Sequence, residues 1–188
     1  PFAVTTSRWG NARGHQTLED MLEWCYRCPF SLEYMGDTAE NLAEKYHYDR
    51  EPMDEYAVSS QARALAAIES GFLAKQITPI IVPDGRTTRV FDTDESPRTG
   101  ITLERLARLG SAFQEGGKIT AGNSSGVTDG AAAMLVGSRS SMEANNVKPE
   151  ARIVDWSVVG VPPSLMGHGP VPAIELLLKR TGLSIDEI

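Results

Sequence analysis

The most informative part of the chain reads Thr120-Ala121-Gly122-Asn123-Ser124-Ser125-Gly126-Val127-Thr128-Asp129-Gly130 and runs directly into Ala131-Ala132-Ala133-Met134-Leu135-Val136. The first stretch has the composition of a loop, because glycine, serine and asparagine favour turns. Its small residues allow a ligand to approach the main chain, and its serine and asparagine side chains can anchor amide groups. These residues predict either a cradle for an elongated polar ligand or a tight turn whose polar side chains bond to their own backbone. The alanine-rich stretch predicts a buried strand or the approach to one.

Composition and charge narrow the class of protein. The chain has 188 residues, of which 41% are hydrophobic and 23% charged, and this balance is that of a globular protein and excludes wholesale disorder. Eighteen basic and twenty-five acidic residues give a net charge of −7, which argues against nonspecific binding to nucleic acid or anionic lipid but still allows a local basic pocket. The longest apolar runs, at 80–83 and 131–136, fall short of the roughly 18 residues that a membrane helix needs. We therefore expect no nucleic-acid partner and no membrane.

Local signals predict a series of helices and strands. Asp37 and Glu40 have the spacing of a capping box, which predicts a helix from there to about residue 47. Asp49, with Pro52 in the first turn, predicts a second helix that stops at Gly71. The later elements are predicted to be strands at 76–82 and 87–91, a short helix from Thr102 to Gly110, a loop at 116–130, a helix at 140–145, a strand at 152–161, a loop at 162–172 and a helix at 173–180 that stops at Gly182. A strand, a loop and a helix in that order are half of an α/β unit, and ligands usually bind at such loops.

Two cysteines, Cys25 and Cys28, form a C-x-x-C motif that contains Arg27. Such a pair can be a redox couple or half of a zinc site. The preferred interpretation is two structural free thiols, because no second C-x-x-C exists and the three histidines have no metal-ligand spacing. A thiol-disulfide function remains as an alternative, and we expect no metal site. So few cysteines predict a reducing compartment, either the cytoplasm or an organellar matrix.

Four motifs, in order along the chain, resemble those of the thiolases, which are acetyl-CoA acyltransferases. They are Met35-Gly36-Asp37-Thr38-Ala39-Glu40-Asn41; Arg50 followed by Asp54-Glu55-Tyr56-Ala57 and Ser60-Gln61; Gly117-Lys118-Ile119-Thr120-Ala121-Gly122-Asn123-Ser124-Ser125-Gly126 followed by Asp129-Gly130-Ala131; and Met166-Gly167-His168-Gly169-Pro170-Val171-Pro172-Ala173. The match begins at about residue 30 and extends over nearly all of the chain from there. Any one of these motifs alone is weak, whereas four in this order are specific.

The resemblance implies a fold and a domain organisation. Thiolases are α/β proteins in which two similar halves pack into a five-layered α-β-α-β-α core, and they form homodimers or homotetramers. By this resemblance, residues 1–115 are a loop (insertion) domain, 116–147 are the end of the N-terminal half and 148–188 are the start of the C-terminal half. In the family, the loop domain and the glycine- and serine-rich loop bind coenzyme A, which is a substrate, and no cofactor is expected to be tightly bound.

The resemblance also assigns residues to the coenzyme A arm. Ser125, Gly126 and Ala121 would line the tunnel that holds the pantetheine group. Phe113 would pack on the pantetheine. Arg98 would lie near the nucleotide end, in a loop from which an exposed guanidinium can bind phosphate with two parallel hydrogen bonds.

At the acyl end, the resemblance places Met35 and Met166. Tyr34 stands where many biosynthetic members have a histidine before the Met-Gly pair, and this departure weakens the expectation of short-chain acetoacetyl specificity. His168 occupies a position that varies in the family, so it is given no catalytic role.

The residues that perform thiolase chemistry have no match in this stretch. The family uses a nucleophilic cysteine, a histidine that activates it, a second cysteine as acid and base, and an Asn-Glu-Ala-Phe-type loop. By the family's order the first precedes Pro1 and the others follow Ile188, and Cys25 and Cys28 match neither cysteine. We therefore expect the middle of a thiolase, with no catalytic residue of its own and no activity in isolation.

The expected reaction of the parent protein is acyl transfer between thiols. It would cleave a 3-ketoacyl-CoA with free coenzyme A or run the reverse Claisen condensation, and this segment would supply coenzyme A binding. The alternative is a non-catalytic coenzyme A-binding or assembly module that acts with partner chains.

Overall fold

The structure is a computed structural model that describes residues 2, 3, 15 and 17–188. The chain divides into two compact units, Pro1–Val127 and Thr128–Ile188. The strands are β1 (Phe2–Ala3), β2 (Glu19–Asp20), β3 (Ile80–Asp84) and β4 (Thr87–Phe91). The helices are α1 (Met21–Cys25), α2 (Met35–Lys45), α3 (Arg50–Glu69), α4 (Leu103–Leu106), α5 (Arg139–Ala144) and α6 (Pro170–Thr181), with 3₁₀ turns at Leu73–Lys75, Pro163–His168 and Ile185–Glu187. Two antiparallel pairs, β1 with β2 and β3 with β4, are the sheets of the described residues.

The first capped helix begins earlier than the sequence predicts. The carboxylate of Asp37 accepts the backbone N–H of Tyr34 at 2.9 Å, so Tyr34 is the N-cap residue and α2 starts at Met35. Glu40 is buried in the middle of the helix and bonds elsewhere. The predicted capping box of Asp37 and Glu40 is therefore wrong. The Glu40 carboxylate accepts hydrogen bonds from residues outside the helix, so it does not bond to the backbone N–H of Asp37.

Other local signals are confirmed. Helix α3 begins directly after Asp49, has Pro52 in its first turn, and ends before Gly71, whose φ is +72°. Such a left-handed residue is the usual glycine stop of a helix. Helix α4 begins after Thr102, whose hydroxyl accepts the backbone N–H of Arg105 at 3.3 Å, and it ends at Leu106, short of the predicted stop.

The predicted hairpin forms with its first strand shifted along the chain. Strand β3 starts at Ile80 because Pro79 has no N–H to donate to a ladder, and it extends to Asp84, two residues beyond the predicted end at 82. The turn itself is Gly85-Arg86, with φ of +60° at Gly85. Strand β4 covers Thr87–Phe91 as predicted.

The interior of the first unit mixes apolar and polar side chains. Its buried side chains, among the described residues, are Cys28, Ala43, Leu106 and Ile119 together with Thr38, Glu40, Asp54 and Thr120. Buried polar groups need hydrogen-bond partners, since an unpaired one loses its contacts with water without replacement. We therefore expect these four polar side chains to form hydrogen bonds with residues that are distant in sequence.

The second unit is built on α6. That helix starts at Pro170, three residues before the predicted 173, because proline is well suited to the first turn of a helix. It ends at Gly182, where φ is +74°, and this predicted stop is confirmed. Helix α5 lies one residue from its predicted position, and the predicted loop at 162–172 contains a 3₁₀ turn.

Two predicted strands form no sheet. Residues 131–136 and 152–161 belong to neither of the two sheets, and Met134 and Val158 are 88% and 85% exposed. Residues 154–160 keep the two-residue alternation of a strand, with Trp156 exposed and Ser157 bonded to the Ala173 carbonyl of α6 at 2.7 Å. The predicted strand at 152–161 and the predicted burial of 131–136 are therefore wrong for the described chain, because a strand becomes regular only beside a partner.

Among the described ranges, no helix has both the length and the apolarity needed to cross a bilayer.

Candidate functional site

A cavity of about 460 Å³ lies within the first unit. Its lining residues are Glu23, Tyr26, Tyr34, Met35, Gly36, Ala39, Phe113, Ile119, Asn123, Ser124, Ser125 and Val127. The volume falls within the roughly 300–1,000 Å³ of small-molecule sites, and the mixture of many apolar and a few polar groups is typical of such sites. The cavity is therefore the candidate ligand site of this unit.

Three parts of the chain form the main walls. Helix α2 contributes its first turns, with Met35, Gly36 and Ala39 facing the space. The ring of Phe113 lies on this helix at Gly36, where a side chain would collide with it. We call the third wall, residues 118–127, the binding loop.

The binding loop is bonded to α2 at its start. The carboxylate of Glu40 accepts the backbone N–H groups of Lys118 and Ile119, at 2.9 and 2.7 Å. The Lys118 ammonium donates to the Tyr48 carbonyl and lies 3.5 Å from the Asp49 carboxylate. The loop therefore begins at a fixed distance from the helix that forms the opposite wall.

The buried carboxylate of Asp54 holds the middle of the binding loop through Asn123. The Asn123 amide donates to the Asp54 carboxylate and to the Lys118 carbonyl, both at 3.0 Å, and its oxygen accepts the Thr120 N–H at 2.8 Å. Asp54 is 3% exposed and pairs with the Arg50 guanidinium at 2.7 Å. Every polar atom of the Asn123 side chain is thus used inside the protein.

Arg50 extends this network toward α4. Its guanidinium donates to the carbonyl of Leu106, the last residue of that helix, at 2.6 Å and to the carbonyl of Leu109, just beyond it, at 3.2 Å. The binding loop, α3 and α4 are therefore joined through one chain of charged and polar contacts.

Tyr34 has a fixed orientation at the edge of the cavity. Its hydroxyl accepts a hydrogen bond from Arg27 and donates one to the Glu23 carboxylate at 3.1 Å. The Arg27 guanidinium also lies 4.2 Å from the centre of the Tyr34 ring, which is a cation–π contact.

The structure brings together four of the eight residues that the sequence assigned to substrate binding. Tyr34, Met35, Phe113 and Ser125 line the same cavity, although they come from separate stretches of the chain. Ala121 and Gly126 lie in the binding loop and are exposed, but they are not among the lining residues.

The other two predicted residues lie elsewhere. Arg98 is exposed in the loop after β4, and its backbone N–H donates to the Gln61 side chain of α3 at 2.8 Å. Met166 belongs to the second unit, where it is 44% exposed in the 3₁₀ turn Pro163–His168. Neither lines the cavity.

Sequence reasoning missed the residues that hold the site. Glu40, Asp54 and Asn123 all stand in the four quoted motifs, but nothing local indicates that the two carboxylates are buried or that all three side chains are bonded across the unit. Ser124, next to the predicted Ser125, lines the cavity as well. The available signal was a charged residue within each helical motif and an asparagine within the loop.

The cysteines are free thiols, Cys25 exposed and Cys28 buried. The Ser31 hydroxyl, followed by the backbone N–H groups of Ser31 and Phe30, lowers the pKa of Cys28 because these donors stabilise the thiolate. Across the described residues, no group of three or more histidine, cysteine or acidic side chains could hold a metal ion. Neither cysteine is among the residues that line the cavity.

Family comparison accounts for nearly the whole chain. The model of the thiolase N-terminal domain matches residues 1–140, and that of the thiolase C-terminal domain matches residues 147–188. The chain belongs to the thiolase family. The thiolase-like α/β fold that the sequence predicted is confirmed by close structural likeness to solved thiolases, with TM-scores between 0.88 and 0.93.

Individual thiolases resemble the chain along its full length. It is 44% identical to an acetyl-CoA acetyltransferase of Pseudomonas aeruginosa in an alignment of 190 positions, which covers 100% of this chain and 48% of the relative. The crystal structure of the Bacillus anthracis acetyl-CoA acetyltransferase is 42% identical, with a TM-score of 0.93 over 99% of this chain and 47% of that one. The human mitochondrial 3-ketoacyl-CoA thiolase, solved in complex with CoA, is 40% identical, with a TM-score of 0.91 over 100% of this chain and 47% of that one. The chain thus spans about half the length of the thiolases that it matches.

Proposed function

We propose that the first unit binds the pantetheine arm of coenzyme A in the cavity between α2, Phe113 and the binding loop. The observation that carries this proposal is that Tyr34, Met35, Phe113 and Ser125, assigned to the substrate by motif alone, line one cavity of suitable size. The similar human thiolase whose structure holds CoA supports the choice of ligand.

The chemistry of the lining suits a pantetheine arm. This arm is a thin chain of methylene and amide groups, so it needs apolar walls with a few hydrogen-bonding groups between them. Met35 and Phe113 supply apolar surface, and the hydroxyls of Ser124 and Ser125 can bond to amides. Gly126 and Ala121, in the same loop, leave the main chain open to close approach.

The remaining assignments extend the proposal beyond the cavity. Arg98 would bind a phosphate at the nucleotide end, since its side chain is exposed. Met35 and Met166 would border the acyl group. Tyr34, oriented by Arg27 and Glu23, would limit the space beside that group.

For the parent protein we propose thiolase activity. A cysteine thiolate would attack the keto carbon of a 3-ketoacyl-CoA, acetyl-CoA would leave as an enolate that takes up a proton, and the thiol of a second coenzyme A would then take the acyl group from the enzyme. The reverse direction is a Claisen condensation. We propose a homodimer or homotetramer in a reducing compartment as the working form.

Residues 1–188 would bind substrate in this reaction without making or breaking bonds. Cys25 and Cys28 match neither family cysteine, and neither lines the cavity. We therefore expect no thiolysis by the 188-residue chain alone. Turnover above background by this chain would contradict the assignment.

Ser125→Trp tests the ligand site. The indole would fill the cavity from an exposed loop position, so we expect coenzyme A binding to be lost while the thermal unfolding temperature stays close to that of the unaltered protein. Isothermal titration calorimetry measures the first quantity and differential scanning calorimetry the second.

The matched control is Ser140→Trp, which places the same indole at an exposed serine of α5 that does not line the cavity. This variant should bind coenzyme A as the unaltered protein does. Unchanged affinity in Ser125→Trp would remove the site assignment.

A further inference from the structure

Glu40 has an unusual environment for a carboxylate. It lies in the middle of α2 with 6% of its surface exposed, and no basic side chain among the described residues pairs with it. Its two oxygens accept successive backbone N–H groups instead, Oε2 from Lys118 and Oε1 from Ile119. Burying a charged group is costly unless such charge-assisted bonds compensate it. The two amides are therefore what makes this burial tolerable.

The binding loop has a complementary feature on its side. A β-carbon at Gly117 would lie 2.3 Å from Oε1 of Glu40, which is too close for any side chain. The backbone before Lys118 must be bare for the carboxylate to reach both amides. Gly117 and Glu40, which are 77 positions apart in sequence, therefore both contribute to this contact.

The contact joins the walls of the cavity. Ala39, next to Glu40, faces the cavity from α2, and Ile119, which donates to Glu40, faces it from the binding loop. The Ile119 carbonyl in turn accepts the N–H of Ala112, the residue before Phe113, at 2.8 Å. Glu40 therefore fixes the loop directly and the Phe113 wall through one further bond.

We propose that Glu40 is a positioning residue, whose carboxylate sets the spacing between α2 and the binding loop and so the width of the channel that takes the pantetheine arm. That the channel takes a pantetheine arm rests on the proposed function. That Glu40 sets the distance between α2 and the binding loop rests on the hydrogen bonds described above. Asn123 and Asp54 hold the same loop against α3, on which no cavity-lining residue lies, whereas Glu40 bonds the loop to α2, which does line the cavity.

Glu40→Gln tests the proposal in the protein at its natural length. Glutamine has the same shape but replaces one acceptor oxygen with an NH₂ group that would face a backbone N–H. We expect the dissociation constant of coenzyme A to rise about tenfold, the effect of one lost charge-assisted bond and an opposed donor pair. The dissociation constant of adenosine 3′,5′-bisphosphate, which lacks the pantetheine arm, should stay within about twofold of the original.

The control is Glu44→Gln, the same change at an exposed position one turn further along α2. It should leave both dissociation constants unchanged. Gly117→Ala is a second variant, in which the added methyl group displaces the Glu40 carboxylate from the loop side. It should reproduce the selective loss of coenzyme A affinity. A parallel loss for both ligands, or no loss for either, would overturn the positioning role.

Amide hydrogen exchange separates this proposal from the proposed function. The N–H groups of Lys118 and Ile119 should exchange slowly in the original protein and Glu44→Gln, and faster in Glu40→Gln together with the rest of the binding loop. If the original protein does not bind coenzyme A, the proposed function is refuted. The exchange rates of Lys118 and Ile119 would still test whether Glu40 holds the binding loop at its distance from α2. Equal exchange in all three proteins would overturn the link between Glu40 and the loop.

Discussion

The ring of Phe113 lies directly on the backbone of Gly36, so closely that a β-carbon on Gly36 would be 2.2 Å from two ring carbons. Gly36 is buried in the first turn of α2, and both residues line the cavity. The absence of a side chain at position 36 therefore creates the surface on which one wall of the cavity rests.

Gly36→Ala should displace the Phe113 ring. In a helix without this contact, alanine would stabilise the protein by about 1 kcal/mol relative to glycine, whereas overpacking costs about 1–3 kcal/mol, so we expect a net loss of stability. Coenzyme A affinity should fall with it. Denaturant unfolding and calorimetric titration measure the two effects. Gly110→Ala is the control, because a β-carbon there meets nothing within 4 Å, and a more stable Gly36→Ala variant would contradict the contact.

Asp54→Ala should strongly destabilise the first unit. The change leaves the Arg50 guanidinium and the Asn123 amide without their shared acceptor. Removing one partner of a buried ion pair costs about 3–5 kcal/mol, and the partial exposure of Arg50 (25%) places the expected loss at about 2–3 kcal/mol. Urea unfolding gives the value. The control Glu51→Ala, at an exposed acidic residue of the same helix, should change the free energy of unfolding little. A loss in Asp54→Ala no larger than that of the control would contradict the stabilising role of the Arg50–Asp54–Asn123 contacts.

Ser31→Ala should raise the pKa of Cys28. The Ser31 hydroxyl is the leading cause of the lowered pKa, so part of the shift should disappear with it. A thiol with a lowered pKa in the folded state adds stability above its unfolded pKa and loses that contribution as the pH falls through the folded pKa. Ser31→Ala should therefore reduce the stability gained at alkaline pH. Ultraviolet absorbance of the thiolate against pH, in a Cys25→Ser background, measures the pKa, and an unmoved titration would exclude the hydroxyl as the cause.

Gly182→Ala should destabilise the second unit by about 1 kcal/mol, because an L residue with a side chain is strained in the left-handed conformation. Gly182 has φ of +74° and ends α6. Gly182→Asn should cost less, since asparagine tolerates this region. Gly160→Ala is the control without positive φ or close neighbours. Thermal unfolding ranks the variants, and equal stability of Gly182→Ala and Gly182→Asn would contradict the strain.

Signals that act within a few residues were sufficient for part of this fold. Thr102 caps α4 through its own hydroxyl, and Gly71 and Gly182 stop helices because only their conformation matters at those positions. The loop composition of 116–130 likewise indicated an irregular segment, which the structure contains. None of these features depends on a distant partner.

Predictions that needed a distant partner were less successful. Glu40 has the spacing to cap Asp37, but a carboxylate binds wherever packing leaves unpaired N–H groups, and here these belong to Lys118 and Ile119. Residues 152–161 have the β-branched composition of a strand, yet a strand is completed only by a neighbour that supplies the opposite half of its ladder.

The amino-acid sequence by itself determined the family, the glycine stops of α3 and α6 and the irregular segment 116–130, because ordered motifs and backbone preferences are properties of neighbouring residues. Tertiary structure alone decided that Tyr34, Met35, Phe113 and Ser125 share a cavity and that Glu40, Asp54 and Asn123 hold its walls. The reason is physical: a buried polar group takes the partner that the folded chain presents, and that partner can be far away in sequence.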